Sequence, residues 1–245
     1  MDTFLLALSF LTRLPVRVPE PKTDDELATA SLWFPWIGLL IGAFLSGIFI
    51  VSDKIGLVPV SPLITLLALI LITGALHWDG LADTADGLLA PGDKIRRLAI
   101  MKDPHLGTMG VLAIVVVFLM QFSALRELSP GQATLILLVA PMLSRTAMLL
   151  LATFSLYARE DGTGAAFVGN ISKTGALTSS LITIAFLFGL IGNAVIGLVC
   201  VAGATTFLLR TYAYKTIGGI TGDILGASCV LVEAALFVAA LVFLA

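Results

Sequence analysis

The chain has 245 residues, of which 58% are hydrophobic and only 12% charged, with a formal net charge of −2 and a mean hydropathy of +1.06. Soluble domains carry about 25% charged residues, so this chain lacks the polar surface that a water-soluble fold needs, and the bilayer is its natural solvent. The small net charge gives no footprint for nucleic acid, and the two cysteines, Cys200 and Cys229, lie in apolar stretches as inert thiols with no zinc-type Cys/His set around them.

Phe4 to Leu11 is apolar but short, lies between Asp2 and Arg13, and lacks a small-residue cleavage site. It predicts an interfacial helix, not a signal peptide. Beyond it the charges punctuate the chain. None occurs between Glu26 and Asp53, Lys54 and Asp79, Asp103 and Arg126, or Lys173 and Arg210. A crossing helix needs about 20 apolar residues. The gaps therefore predict seven spans, near residues 33–51, 60–78, 108–127, 133–152, 176–192, 194–213 and 224–244. Gly192-Asn193 divides the fifth from the sixth as a tight turn, and the short segment 176–192 is also compatible with a re-entrant hairpin. The expected fold is all-α, a polytopic integral membrane protein with residues 1–245 as one membrane-embedded catalytic domain.

The basic residues fix an orientation. Arg13, Arg17, Lys22, Lys94, Arg96, Arg97, Lys102, Arg159, Lys173, Arg210 and Lys215 fall on one side of this arrangement, whereas only Lys54 and Arg126 fall on the other. Positive residues stay cytoplasmic. The N-terminus and the acidic loops are thus expected inside a cell membrane and the C-terminus outside.

Four segments carry candidate chemistry, all on the predicted cytoplasmic side. In His77-Trp78-Asp79-Gly80-Leu81-Ala82-Asp83-Thr84-Ala85-Asp86-Gly87 the three acids recur at i, i+4 and i+7, within about 60° of arc on one helix face. Like charges at that spacing repel, and Mg²⁺ shared with substrate phosphates is the natural compensation. In Ile100–Gly110, Lys102 can meet a phosphate and the Gly107 and Gly110 backbone can approach a ligand, although Asp103-Pro104 also reads as an ordinary helix start. Tyr157–Gly164 is a polar loop holding Arg159, Glu160 and Asp161. Lys215 and Gly218-Gly219-Ile220-Thr221-Gly222-Asp223 place glycines and a lone acid at the entrance of the last span. Gly169–Thr174 is no phosphate-binding loop, because the glycine before Lys173 is missing and Phe167 occupies the other glycine position.

Two charges fall within spans. Arg145 and Glu233 lie at matching depths, roughly 12 and 14 Å from the cytoplasmic ends of their helices at 1.5 Å per residue. An unpaired charge there is costly, so the two are expected to pair beneath the site.

Together these segments, with Ser9–Pro15, Phe34-Pro35-Trp36-Ile37-Gly38 and Ser144-Arg145, resemble cobalamin synthase, the adenosylcobinamide-GDP ribazoletransferase family. The likeness covers nearly the whole chain in order; Trp78 and Pro104 depart from the commoner family residues, and neither supplies an obvious functional group. It implies a Mg²⁺-dependent transferase of the inner membrane that joins adenosylcobinamide-GDP to α-ribazole or its phosphate and releases GMP. Motifs and resemblance together assign catalysis to Asp79, Asp83 and Asp86, and the metal to these three with Asp223. They place Arg13, His77, Lys102, Asp103, Arg145, Arg159, Asp161, Lys215, Thr221 and Asp223 against the substrates. The alternatives are a CDP-alcohol phosphotransferase, whose motif needs an acid where Leu76 stands, and a transporter, which would hold its acids near the midplane. The sequence is compatible with a homo-oligomer.

Overall fold

The computed structural model describes residues 2–17, 23–162 and 164–244. Lys22 of the basic set, Thr163 of the 157–164 loop and Ala245 lie outside them. Eleven α-helices follow in order: α1 (Asp2–Leu11), α2 (Asp24–Ala30), α3 (Phe34–Lys54), α4 (Ser61–Thr73), α5 (Leu76–Leu89), α6 (Lys94–Ile100), α7 (Thr108–Glu127), α8 (Pro130–Thr153), α9 (Lys173–Ile191), α10 (Ala194–Ile217) and α11 (Gly222–Phe243). Six helices, counting α2 and α3 as one, are long and apolar enough to cross a membrane, or up to seven if α4 and α5, bent by 90°, count as one span.

Six of the seven predicted spans fall on these helices. The segment 176–192 becomes the single 19-residue α9 and not a hairpin, roughly 28 Å long at 1.5 Å per residue and long enough to cross. Gly192, at φ +58°, turns the chain into α10. The predicted span 60–78 is the exception. Its helix stops at Thr73, and the following helix leaves at 90°.

The helix ends assort into two faces of the bundle. At one face the Arg13 amide donates to the Ile72 carbonyl at the end of α4 (2.7 Å), and the Ala158 amide donates to the Ile220 carbonyl (2.9 Å). The Ser179 hydroxyl at the start of α9 reaches the Leu32 carbonyl just before α3. At the opposite face Asp53 and Lys54 lie beside Pro130 and Gly131, and the Gln132 side chain donates to the Leu244 carbonyl. Each of α3, α4 and α7 to α11 therefore runs from one face to the other. The odd number puts Leu244 opposite the N-terminal segment.

Small residues set the closest packing. Gly38, Gly42 and Ser46 recur every fourth residue along α3. A Cβ at Gly38 would collide with the Pro141 carbonyl, one at Gly42 would come within 2.6 Å of the Leu138 carbonyl, and the Ser46 hydroxyl bonds the Thr134 carbonyl. Such stripes let helix backbones approach where lipid gives no hydrophobic drive. α8 and α11 are the most enclosed helices, while α7, α9 and α10 expose most of their apolar surface outward.

The expected intramembrane pair is present. Arg145 on α8 donates Nη1 to Glu233 Oε1 on α11, with both side chains buried. The Ser144 hydroxyl also donates to Glu233 and accepts from Arg145.

Candidate active site

The site begins where α4 fails to continue. Gly74 and Ala75 are consecutive left-handed residues, at φ +62° and +59°. A left-handed alanine costs about 1–2 kcal/mol, so the turn holds strain. It swings α5 out of the spanning direction and across the first turns of α7 and α11, at the end of the bundle. Gly80 permits the approach to α11, since a Cβ there would sit 2.6 Å from the Asp223 carbonyl.

Three acids of that region share one electrostatic neighbourhood. Asp79 is exposed and Asp83 half-buried on α5, and Asp223 lies in the first turn of α11. Burial, then Asp79 and then Asp223, push the Asp83 carboxyl up to about 6 from 3.8, against the opposing charge of Arg159. Thr221 caps α11 by accepting the Ile224 amide (3.4 Å) and donates its hydroxyl to Asp223 Oδ2 (3.2 Å). Arg159 arrives from the α8–α9 loop through a parallel bridge between Tyr157 and Ile220. That bridge depends on Gly219, where a Cβ would press within 2.5 Å of the Leu156 carbonyl. Arg159 Nη2 lies 2.8 Å from Asp223 Oδ2. The pair is ionic without a directed hydrogen bond, so Nε and Nη2 keep donor capacity unused by any described residue.

Asp86 stands apart. Its two carboxylate oxygens accept the Gly107 and Gly110 amides, each at 2.8 Å. The glycines that read as a ligand-approach loop thus receive a carboxylate of the chain itself, which ties α5 to the N-terminus of α7. Asp86 keeps its place on the acidic face, but as a clamp between helices. Of the glycines at 218–222, Gly219 allows the close approach by which the Ile220 amide donates to the Leu156 carbonyl.

Among the described residues no three Asp, Glu, His or Cys side chains form a ready metal cage. Mg²⁺ does not require one. It is held by one or two carboxylates plus substrate phosphates and keeps several waters. Besides burial, the charges of Asp79 and Asp223 lift Asp83, and that excess of negative charge suits a hard cation shared in that way.

Beside the acids lies a cavity of about 310 Å³. Asp79, Asp223 and His77 contribute its polar lining, and Phe10, Phe34 and Phe167 form an aromatic wall. His77 is buried, with Nε2 unpartnered among the described residues. The other predicted substrate contacts scatter. Arg13 is exposed and packs on Gly74. Lys102, Asp103, Asp161 and Lys215 are exposed on loops or helix ends at the same face. Asp103 accepts the His105 amide and ring nitrogen, and these bonds hold its carboxyl below the usual range. Arg145 is fully enclosed with Glu233, does not line the cavity and supports the site from beneath. Sequence reasoning missed the aromatic wall. Phe10, Phe34 and Phe167 lie far apart in sequence with no shared period, so only the fold brings them together.

The comparisons with known proteins decide the family. The cobalamin-5-phosphate synthase family matches residues 3–241. This chain belongs to that family. Relatives named adenosylcobinamide-GDP ribazoletransferase include one from Stutzerimonas stutzeri, 39% identical over 97% of both chains. One from Clostridium novyi is 35% identical over 99% of this chain and 98% of its own, and one from Chlorobaculum tepidum is 37% identical over 100% and 96%. No solved structure matches. Membership in the cobalamin-5-phosphate synthase family sets aside the CDP-alcohol phosphotransferase and transporter readings.

Proposed function

We propose that this chain joins adenosylcobinamide-GDP to α-ribazole, or to its phosphate, and releases GMP. The observation that carries the reading is the convergence of Asp79, Asp83, Asp223 and Arg159 beside a nucleoside-sized cavity, in a chain that aligns end to end with ribazoletransferases. A ribose hydroxyl attacks the phosphorus on the cobinamide side, loses its proton, and displaces GMP as the pyrophosphate P–O bond breaks. Such a transfer asks the protein mainly for positioning and charge stabilisation.

Asp79, Asp83 and Asp223 would hold Mg²⁺ jointly with the substrate phosphates, and the ion supplies charge neutralisation for the pyrophosphate and the departing GMP. Arg159 contributes a fixed positive charge with free donors for a phosphate oxygen, and Asp223 holds that guanidinium in place. Asp86 acts through position by locking α5 to α7. The exposed Arg13, Lys102 and Lys215 draw anionic substrates toward this face. The same excess of basic residues favours a cytoplasmic position for this face in the inner membrane, where nucleotides are available.

The test is GMP release by the purified protein in detergent. Release that requires both substrates and Mg²⁺ supports the reading. Release without α-ribazole, or none with both substrates present, contradicts it.

A further inference from the structure

The cavity beside the acids has two kinds of lining. Asp79, Asp223 and the buried His77 are its polar part. Phe10 from α1, Phe34 from α3 and Phe167 from the α8–α9 loop form an aromatic triad with ring centroids 4.9 to 5.9 Å apart. Leu76, Met148 and Leu225 complete that wall. Three elements converge to build it, and no cation lies among its lining residues.

We propose that this aromatic wall is the subsite for the base of α-ribazole, with the ribose directed toward Asp79 and Asp223. The inference rests on the reaction proposed above, which brings three planar groups to the protein: a corrin, a guanine and a benzimidazole. At about 310 Å³ the cavity stands at the small end of ligand sites, which run from roughly 300 to 1,000 Å³. A corrin with its amide side chains outgrows it, whereas a nucleoside does not.

Guanine and benzimidazole divide on polarity. Guanine carries N–H donors and a carbonyl along its edge, and each would lose its water against phenylalanine without a replacement partner. Dimethylbenzimidazole has no exocyclic donor or acceptor, and its two methyl groups and fused rings match an apolar, aromatic surface. Polarity assigns the wall to the ribazole base. The guanine then lies elsewhere, on the phosphate side of Arg159. The charge pattern agrees, because a ribose hydroxyl can sit against the two carboxylates without repulsion while phosphates need the arginine.

The experiment measures KM for each substrate separately in Phe10→Ala and Phe167→Leu, together with inhibition by free dimethylbenzimidazole. Expected is a rise of about tenfold in KM for α-ribazole, with KM for adenosylcobinamide-GDP unchanged. Free dimethylbenzimidazole should compete with α-ribazole in the wild-type protein and lose potency in both variants. A shift confined to adenosylcobinamide-GDP places guanine in the cavity and overturns the assignment, as does a shift in neither. If a variant does not fold, the wild-type protein still decides, since non-competitive inhibition by the free base contradicts the subsite. Wild-type protein that releases no GMP from the substrate pair would instead defeat the reaction itself, a separate outcome from a misplaced base.

Discussion

Burial and the neighbouring Asp79 and Asp223 carboxylates hold the Asp83 carboxyl at about 6, against an ordinary 3.8. A carboxyl raised on folding binds more protons in the native state than in the unfolded chain, so stability falls as pH rises between those two values and is level above them. Mg²⁺ favours the ionised form and therefore competes with the proton. The stabilisation that Mg²⁺ gives in a thermal melt should accordingly shrink as pH falls from about 7 to about 5, and Asp83→Asn should remove that dependence. An equal Mg²⁺ effect across the range would count against shared binding. Beneath the site, Arg145 and Glu233 form the buried pair that their matching depths suggested. Removing one partner of such a pair costs about 3–5 kcal/mol, because a charge is left uncompensated. Arg145→Met and Glu233→Leu should each lower the melting temperature strongly, and the double variant should lose much less than their sum. Additive losses would mean that the two charges are satisfied independently.

At the scale of elements, α5 governs the site, and its role was only half legible in the sequence. The spacing of Asp79, Asp83 and Asp86 placed three acids on one face correctly, because helical phase follows from spacing alone. The direction of that helix did not follow. One glycine inside the apolar run 60–78 reads as tolerable, and Ala75 is the strongest of helix formers, yet both adopt left-handed backbone and turn the chain through a right angle. Only tertiary packing of α5 on α7 and α11 holds that strain. The partner of Asp86 was hidden for the same reason, since a spacing shows a face but not which amides will meet it. The clamp has its own signature. Asp86→Asn keeps the shape but turns one acceptor into a donor facing an amide, and should cost about 2 kcal/mol of stability. The cost should register in thermal melts of protein without substrate. Asp79→Asn, on an exposed carboxylate, should leave the melt nearly unchanged. Equal melts for the two variants would deny Asp86 its structural role.

Across the whole molecule, the helix bundle places every candidate site residue except the deep Arg145 at one face and Leu244 at the other. Composition revealed this much because the bilayer forbids charges in its core, so the gaps between charged residues mark the crossings. The loop-to-loop bridge that delivers Arg159 to Asp223, and the convergence of Phe10, Phe34 and Phe167, are long-range contacts with no sequence period to announce them. The basic residues predict which face is cytoplasmic, and that prediction has a direct check. Single cysteines at Lys94 and at Gly131, in a background without Cys200, should label from the cytoplasm and from outside respectively. Labelling from the same side would mean that α7, the candidate span between the two positions, does not cross. Phosphotransfer at this face requires Asp79, Asp83 and Asp223 to act together. The deciding measurement is the turnover of adenosylcobinamide-GDP with α-ribazole, followed as GMP release across a Mg²⁺ titration, in Asp79→Asn, Asp83→Asn and Asp223→Asn proteins that melt like the wild type. Turnover should fall by about a hundredfold or more in each, the scale of losing one transition-state charge partner. Turnover near the wild-type level in all three would contradict the site.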